Sequence, residues 1–271
     1  MPDLPLDDIS LHYETDGDGP PLLLLAGMLS DSASWGPLVS LLAKDHHVIR
    51  PDNRTTGRTT PWDAPVSVEQ MAQDALALLD HLQIDKTHVT GHSMGGLMAM
   101  EIAGLAPDRI ASLTILASAP VRIPRTIAVF DMIHEVRAAP EGETLWLKAL
   151  YPWVFRPDFF ADPQNTEIAL QAALAYPHAQ SLQAMAHQIE ALKTFKPQTR
   201  PADIPCPTQI VFAEHDLLIP EAEGRAAFSA IPNVTQHVIE DAGHSIHWDA
   251  PQPVANRIRA FTDAHPLSSL G

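Results

Sequence analysis

The sequence contains a single cysteine, Cys206, among its 271 residues. One thiol cannot form an internal disulfide, so this composition predicts a protein of the reducing cytoplasm. Cys206 lies between two prolines with no histidine beside it, and we interpret it as structural. No apolar run is long enough to span a membrane, the longest lying near residues 22–28. The N-terminal residues also lack a basic, apolar signal pattern, so we expect no membrane partner.

Basic residues are also scarce: 17 lysines and arginines stand against 33 acidic residues, which gives a net charge of −16. Such a surface repels nucleic-acid phosphates, and we expect no nucleic-acid partner. The sequence lacks an H-E-x-x-H motif, a cysteine and histidine cluster, and the glycine-rich loops that bind phosphate. We therefore expect neither a metal nor a cofactor.

Short apolar runs that end in turn residues recur along the chain, and helical patterns separate them. The runs cover residues 21–25, 47–50, 87–90, 113–117, 209–212 and 237–239. Ser67 and Gln70 form a capping box before one helical pattern. Strands that alternate with helices predict a mostly parallel, doubly wound α/β sheet. Residues 9–15 alternate more openly and suggest an antiparallel strand at the edge.

The alternation stops between about Val121 and Asp203. This stretch has helical spacing and several aromatic residues, and Ser181 can cap the helix whose apolar face includes Met185 and Ile189. We interpret it as a helical lid, residues 121–203, inserted into an α/β core formed by residues 1–120 and 204–271.

Residues 91–95 read Gly-His-Ser-Met-Gly and fit the G-x-S-x-G pattern. A sharp strand-to-helix turn needs small residues on both sides of its nucleophile, because larger ones would clash where the helix crosses the strand. An apolar strand precedes the motif directly and an apolar helix follows it. The pattern therefore predicts Ser93 as a nucleophile. The alternative is a structural turn whose serine only caps the helix.

A serine hydroxyl needs a base, and 14 histidines are available. His244 follows the last strand pattern, in Asp241-Ala-Gly-His244, where a glycine allows the loop to approach the sheet. We predict His244 as the base. His247, three residues later, is the main competitor, whereas the side chain of His92 should point away from Ser93.

The base in turn needs a carboxylate that holds its tautomer. Asp216 follows the strand at residues 209–212 and is our candidate. Glu214 is the possible substitute. The other loop that could supply an acid carries Ser118, which is not acidic.

The chain resembles the α/β-hydrolase superfamily in the order of its candidate residues, which is serine, acid, histidine. The resemblance also covers the stretches at residues 26–28, 51–58, 91–96, 215–220 and 243–244. Within this superfamily, the chain looks most like small bacterial carboxylesterases, 3-oxoadipate enol-lactonases and aminoacrylate hydrolases. The resemblance implies an oxyanion hole formed by the backbone N–H groups of Met94 and Met28. The sequence departs from the pattern at Ala26, where the family has histidine. Haloalkane dehalogenases and epoxide hydrolases are excluded, because they carry aspartate where Ser93 stands.

These observations predict a hydrolase for a small carboxylic ester or lactone. Phe130, Trp146 and Trp153 of the expected lid are candidate substrate-binding residues. Arg122, Arg125 or Arg137 could pair with a substrate carboxylate, although solvated surface charges are the simpler interpretation. Cleavage of a C–C, amide or imine bond, perhydrolysis, and a non-catalytic receptor are the alternatives.

Overall fold

The part of the chain that the computed structural model describes, residues 3–267, forms an eight-stranded sheet. The strands lie in the order β1-β2-β4-β3-β5-β6-β7-β8. The pairs β1–β2 and β2–β4 are antiparallel, and every pair from β4 onward is parallel. The strand bounds are β1 (Asp3–Pro5), β2 (Ser10–Asp16), β3 (Pro21–Leu25), β4 (His47–Pro51), β5 (Thr87–His92), β6 (Ile110–Leu116), β7 (Thr208–Ala213) and β8 (Thr235–Ile239).

The α-helices connect these strands. They are α1 (Gly36–Leu42), α2 (Val68–His81), α3 (Met94–Leu105), α4 (Pro124–Ala138), α5 (Gly142–Val154), α6 (Pro163–Ala175), α7 (Leu182–Thr194), α8 (Glu221–Phe228), α9 (Ile246–Asp249) and α10 (Pro251–Ala264). Two predicted caps are present: Ser67 accepts a hydrogen bond from the N–H of Gln70, and Ser181 from that of Ala184, both at 3.1 Å. None of the helices within residues 3–267 combines the length and apolar character that crossing a membrane requires.

The central strand β3 shows why the sheet is covered on both faces. Its four leucines are fully buried, and successive side chains point to opposite faces. Leu22 and Leu24 belong to the apolar cluster that includes α1 and α10, whereas Leu23 and Leu25 belong to the larger cluster that includes α2 and α3. A continuous apolar run is therefore a buried parallel strand, and the predicted doubly wound α/β fold is confirmed.

Two features of the topology determine where a site can form. The strand order reverses at β3, because β4 lies on one side of it and β5 on the other. At such a point the loops after β3 and β5 open a crevice at the carboxyl edge of the sheet. Between β6 and β7 the chain forms α4 to α7, and α4 packs against both α5 and α7. We call α4 to α7 the inserted helices.

Candidate active site

The turn between β5 and α3 carries Ser93 in an unusual backbone conformation, with φ of 52° and ψ of −119°. The turn is so tight that side chains are excluded around it. A Cβ atom on Gly91 would lie 2.1 Å from the carbonyl oxygen of Gly95, and one on Gly95 would lie 2.0 Å from that of Leu25. The glycines of the motif are therefore required by close backbone contacts, and the sharp turn predicted from the sequence is present.

Ser93, His244 and Asp216 come together at the carboxyl edge of the sheet. His244 Nε2 lies 3.0 Å from Ser93 Oγ, and His244 Nδ1 lies 2.9 Å from Asp216 Oδ2. An imidazole that donates its Nδ1–H to a carboxylate presents Nε2 as an acceptor for the serine proton. The three residues that the sequence singled out are thus within hydrogen-bond distance, in the order that nucleophilic catalysis requires.

Further hydrogen bonds fix Asp216 and His244. The second oxygen of Asp216 accepts the backbone N–H groups of Leu218 and Ile219, each at 2.8 Å. The carbonyl oxygen of His244 accepts a hydrogen bond of 2.8 Å from His92 Nε2. The carboxylate and the imidazole are both buried. Neither side chain is therefore free to rotate away from its partner.

The competing histidine, His247, occupies a different position. It is buried against Trp35, with ring centroids 4.9 Å apart, and against His92 at 4.5 Å. Burial, with a smaller contribution from the nearby His244, lowers the pKa of His247 to about 3. Burial also lowers the pKa of His92 well below its ordinary value, assisted by the two neighbouring histidines. Both rings are therefore neutral near pH 7, and it is His244 that contacts Ser93.

The two other side chains considered for the acid position lie elsewhere. Glu214 accepts the backbone N–H of Asp241 at 3.0 Å at the surface. Ser118 donates its hydroxyl proton to the carbonyl oxygen of Ser93 at 2.7 Å and so supports the turn. Within residues 3–267, the one group of three potential metal ligands is Glu214, His215 and Asp241, with ligand atoms within 4.8 Å of one another. Ser93, Asp216 and His244 are not part of that group.

Met94 directly follows Ser93, and Met28 lies in the loop after β3. Met94 is the first residue of α3, where backbone N–H groups have no partner within the helix. Met28 follows Gly27, whose Cβ, if present, would lie 3.1 Å from Ser93 Cβ. Across the described part of the chain, no acceptor is bonded to the N–H of either methionine. The loop of residues 26–29 therefore lies directly against the serine. We call it the oxyanion loop, because the resemblance predicts that Met28 is an oxyanion-hole donor.

A cavity of about 130 Å³ opens beside Ser93. Its walls come from α3, from the loop after β6 and from the inserted helices, and most are apolar. The lining residues include Met94, Leu97, Ala119, Ile127, Phe130, Phe195 and Ile219, with Arg122 and Lys193 as the cationic members. Lys193 is paired with Asp131 at 2.5 Å. The arrangement offers an apolar space beside a serine hydroxyl, bordered by positive charge.

Of the three aromatic residues expected to bind substrate, only Phe130 lines this cavity. Trp146 instead packs below the guanidinium of Arg137, which lies 4.6 Å from its ring centroid, and Trp153 packs against the main core. These contacts cover part of the large apolar surface of each tryptophan.

The three arginines of this segment differ in the same way. Arg137 donates to the carbonyl oxygen of Gln180 at 2.5 Å, and Arg125 donates to that of Leu217 at 2.6 Å. Arg122 is exposed and borders the cavity. Arg122 is therefore the arginine of this set that could meet a substrate.

Comparison with known proteins agrees with this fold. The profile described as alpha/beta hydrolase fold matches residues 20–251, which is most of the chain. The chain belongs to the α/β-hydrolase family. The resemblance drawn from the sequence is thereby confirmed, and the protein is an enzyme of the hydrolase class.

Sequence relatives of this α/β-hydrolase include RutD proteins, provisionally named carbamate hydrolases. RutD of Azorhizobium caulinodans is 31% identical over 257 residues, which cover 94% of this chain and 95% of that protein. RutD of Pseudomonas syringae is 29% identical over 256 residues, covering 94% and 98%.

Solved structures of similar shape include two enzymes named for ester chemistry. The malate-bound thermophilic esterase of Thermogutta terrifontis superposes with a TM-score of 0.82 at 28% identity, covering 95% of both chains. The enol-lactonase of Burkholderia xenovorans superposes with a TM-score of 0.84 at 25% identity, covering 97% of this chain and all of the other.

One contact near the site was missed in the sequence analysis. Gln188 of α7 is fully buried, and its side chain reaches the N–H of Leu29 in the oxyanion loop. The sequence offered one indication of this contact. Gln188 lies beside the apolar stripe of Met185 and Ile189, and an amide that is buried with such a stripe requires hydrogen-bond partners.

Proposed function

We propose that this α/β-hydrolase cleaves a small carboxylic ester or lactone through an acyl-enzyme on Ser93. The observation that carries the proposal is the pair of contacts that His244 makes, 3.0 Å to Ser93 Oγ and 2.9 Å to Asp216 Oδ2. Their position at the opening of an apolar cavity supports it, because a substrate acyl group could lie beside the hydroxyl.

In the first half of the reaction, Ser93 Oγ attacks the substrate carbonyl carbon while His244 Nε2 takes the hydroxyl proton. Asp216 holds the ring and stabilises the imidazolium that forms. The N–H groups of Met94 and Met28 bind the developing oxyanion. Their lack of protein acceptors and the positive end of the α3 dipole support this assignment.

The acyl-enzyme forms when His244 protonates the leaving alcohol and the bond between the carbonyl carbon and the alcohol oxygen breaks. A water molecule then gives its proton to His244 and attacks the acyl carbon. The second tetrahedral intermediate collapses, and the proton returns from His244 to Ser93 Oγ. A lactone follows the same course, except that its alcohol stays attached to the acyl chain.

The substrate should be small because the inserted helices act as a lid, which we assign to residues 121–203. A cavity of about 130 Å³ holds on the order of ten water-sized atoms. Phe130 is the aromatic residue that we propose contacts the acyl group. Long lipid chains therefore should not fit without movement of the lid.

Carbamate hydrolysis is the second candidate. The RutD relatives are named for that reaction, and one of them is 31% identical to this chain over nearly its whole length. A carbamate carbonyl can be attacked by the same serine, with an amine or an alcohol as the leaving group. The catalytic assignments stay the same, and only the bond that breaks differs.

The test is a kinetic panel of p-nitrophenyl esters of increasing acyl length, small lactones and aryl carbamates, with the Ser93→Ala variant as control. We expect the highest kcat/KM for short acyl chains and a loss of about 10³-fold or more in the variant. Equal activity of both proteins would refute the serine mechanism. An optimum at long chains would refute the closed lid, carbamate preference would select the second candidate, and tight binding without turnover would identify a receptor.

A further inference from the structure

Besides Ser93, the site contains a strained residue in the oxyanion loop. Leu29 has φ of 64°, in the left-handed region that a large side chain rarely adopts. Such a conformation persists only where the surroundings over-determine it. The peptide between Met28 and Leu29 follows directly on the N–H that we assign to the oxyanion hole. Because both peptides attach to the Met28 Cα, whatever holds the Leu29 N–H also restrains the Met28 backbone and with it the Met28 N–H.

We propose that Gln188 is a positioning residue that holds the oxyanion loop in its active conformation from the lid. Gln188 Oε1 accepts the N–H of Leu29 at 3.2 Å, and Gln188 Nε2 donates to the carbonyl oxygen of Arg54 at 3.2 Å. The side chain is fully buried. Because one partner is a donor and the other an acceptor, a single orientation of the amide satisfies both.

The far end of this bridge is firmly anchored. The buried guanidinium of Arg54 donates to both oxygens of Asp74, at 2.6 and 3.0 Å, and to both oxygens of Asp8, at 2.6 and 2.8 Å. Asn53, beside it, donates to the carbonyl oxygen of Ala26 at 2.9 Å. The loop after β4 thus fixes the start of the oxyanion loop through Asn53 and its end through Gln188.

The inference rests on the proposed function, because it assigns Gln188 a role only if Met28 binds the oxyanion. Without the Gln188 amide, the Leu29 peptide can relax towards negative φ, and the Met28 N–H then turns away from the substrate oxygen. The loss is one of transition-state binding, since the oxyanion forms only then. Ground-state binding in the apolar cavity should change little.

The experiment compares Gln188→Met, which keeps the side-chain length but removes the amide, with the matched variant Gln180→Met. Gln180 also ties the inserted segment to the loop after β4, since its Nε2 donates to the carbonyl oxygen of Thr55 at 3.0 Å. Within the described residues, its side chain forms no hydrogen bond with the oxyanion loop. Rates are expressed per active site, counted from the endpoint of fluorophosphonate labelling, so that misfolded protein does not contribute. Gln188→Leu is the second variant if Gln188→Met yields no folded protein.

We expect Gln188→Met to lower kcat about 10- to 100-fold, less than the full loss of an oxyanion donor, with KM nearly unchanged. The inhibition constant of a phenylboronic acid, which binds as a tetrahedral anion, should rise by the same factor. Gln180→Met should keep kcat per active site within about twofold, because the oxyanion loop is untouched. If Gln188 had only a structural role, Gln188→Met would lower the melting temperature and the number of active sites but not kcat per active site.

Unchanged kcat and boronate affinity in Gln188→Met would overturn the inference while leaving the serine mechanism intact. Equal losses in the two glutamine variants would also overturn it, because they would reflect general loosening of the lid. Failure of the proposed function is separable, since Ser93→Ala would then keep its activity.

Discussion

Ser93 depends on its neighbours for its position. Its φ of 52° costs about 1–3 kcal/mol, and hydrogen bonds on both sides hold it. Its N–H donates to the carbonyl oxygen of Leu116 at 2.9 Å, and its own carbonyl oxygen accepts the Ser118 hydroxyl at 2.7 Å. The serine oxygen is therefore directed at His244 before any substrate arrives, and little reorganisation remains for the reaction.

The two neighbouring histidines should respond differently to truncation. His244→Ala should lower kcat about 10³-fold or more, because among the described residues His244 is the base within hydrogen-bond distance of Ser93 Oγ. His247→Ala should lose far less. Steady-state kinetics per active site measure both losses. A larger loss in His247→Ala would contradict the assignment of the base.

Asp216→Asn should keep the fold and lower kcat about 10³- to 10⁴-fold, because an amide can donate to His244 Nδ1 and select the wrong tautomer. The two backbone hydrogen bonds to Oδ1 from Leu218 and Ile219 can still form to the asparagine oxygen. Circular dichroism checks the fold and kinetics check the rate. A variant that turns over like the native enzyme would show that Asp216 has no part in orienting the base.

At the scale of the elements, the site is assembled from four strand ends. Loops after β3, β5, β7 and β8 contribute the oxyanion loop, Ser93, Asp216 and His244. Each of these could be predicted from the sequence, because each lies within a few residues of a recognisable apolar run and parallel strands end at one edge. The antiparallel strand β2 was indicated as well, but its predicted place at the edge was wrong. It lies second, because the three-residue β1, which was too short to leave a pattern, pairs outside it.

The inserted helices were predictable as helices but not in their packing. The Gln188 contact joins residues 159 positions apart, and no local pattern encodes it. Trp146, Trp153 and Phe130 are all large aromatic residues of this segment, yet of the three only Phe130 lines the cavity. Which face of an all-helical segment meets the site depends on how the helices cross, and this follows from their mutual packing.

The segment that we propose as a lid places the positive charge of Arg122 at the cavity, and its effect on substrate preference can be tested. Arg122→Ala should lower kcat/KM about tenfold for substrates whose acyl part carries a carboxylate, because an exposed guanidinium beside the cavity can pair with it. Neutral substrates should be unaffected. Arg125→Ala is the matched control, since Arg125 donates to the carbonyl oxygen of Leu217 outside that lining. Equal effects on charged and neutral substrates would mean that Arg122 is a solvated surface charge.

For the whole molecule, the buried histidines link stability to pH. The pKa of His247 falls from 6.5 to about 3 on folding, so between these values the unfolded chain binds the additional proton. The free energy of unfolding should therefore decrease as the pH drops from about 6.5 towards 3. The contribution of this one histidine is up to about 1.4 kcal/mol per pH unit.

Urea unfolding at a series of pH values measures this dependence, with His247→Phe as the comparison. The phenyl ring can pack against Trp35 but cannot be protonated. The difference between the two slopes isolates His247 from the carboxylates, which titrate in both proteins. Parallel slopes would show that His247 does not carry the linkage.

The proposed mechanism requires a covalent intermediate at Ser93, and acid-quenched mass spectrometry of the enzyme with p-nitrophenyl acetate observes it directly. We predict one acetyl group on the peptide that contains Ser93 in the native enzyme. Ser93→Ala should carry none, and acetylation of His244→Ala should be slowed about 10³-fold or more. Steady turnover with the acetyl group on another residue, or full activity of Ser93→Ala, would contradict an acyl-enzyme on Ser93.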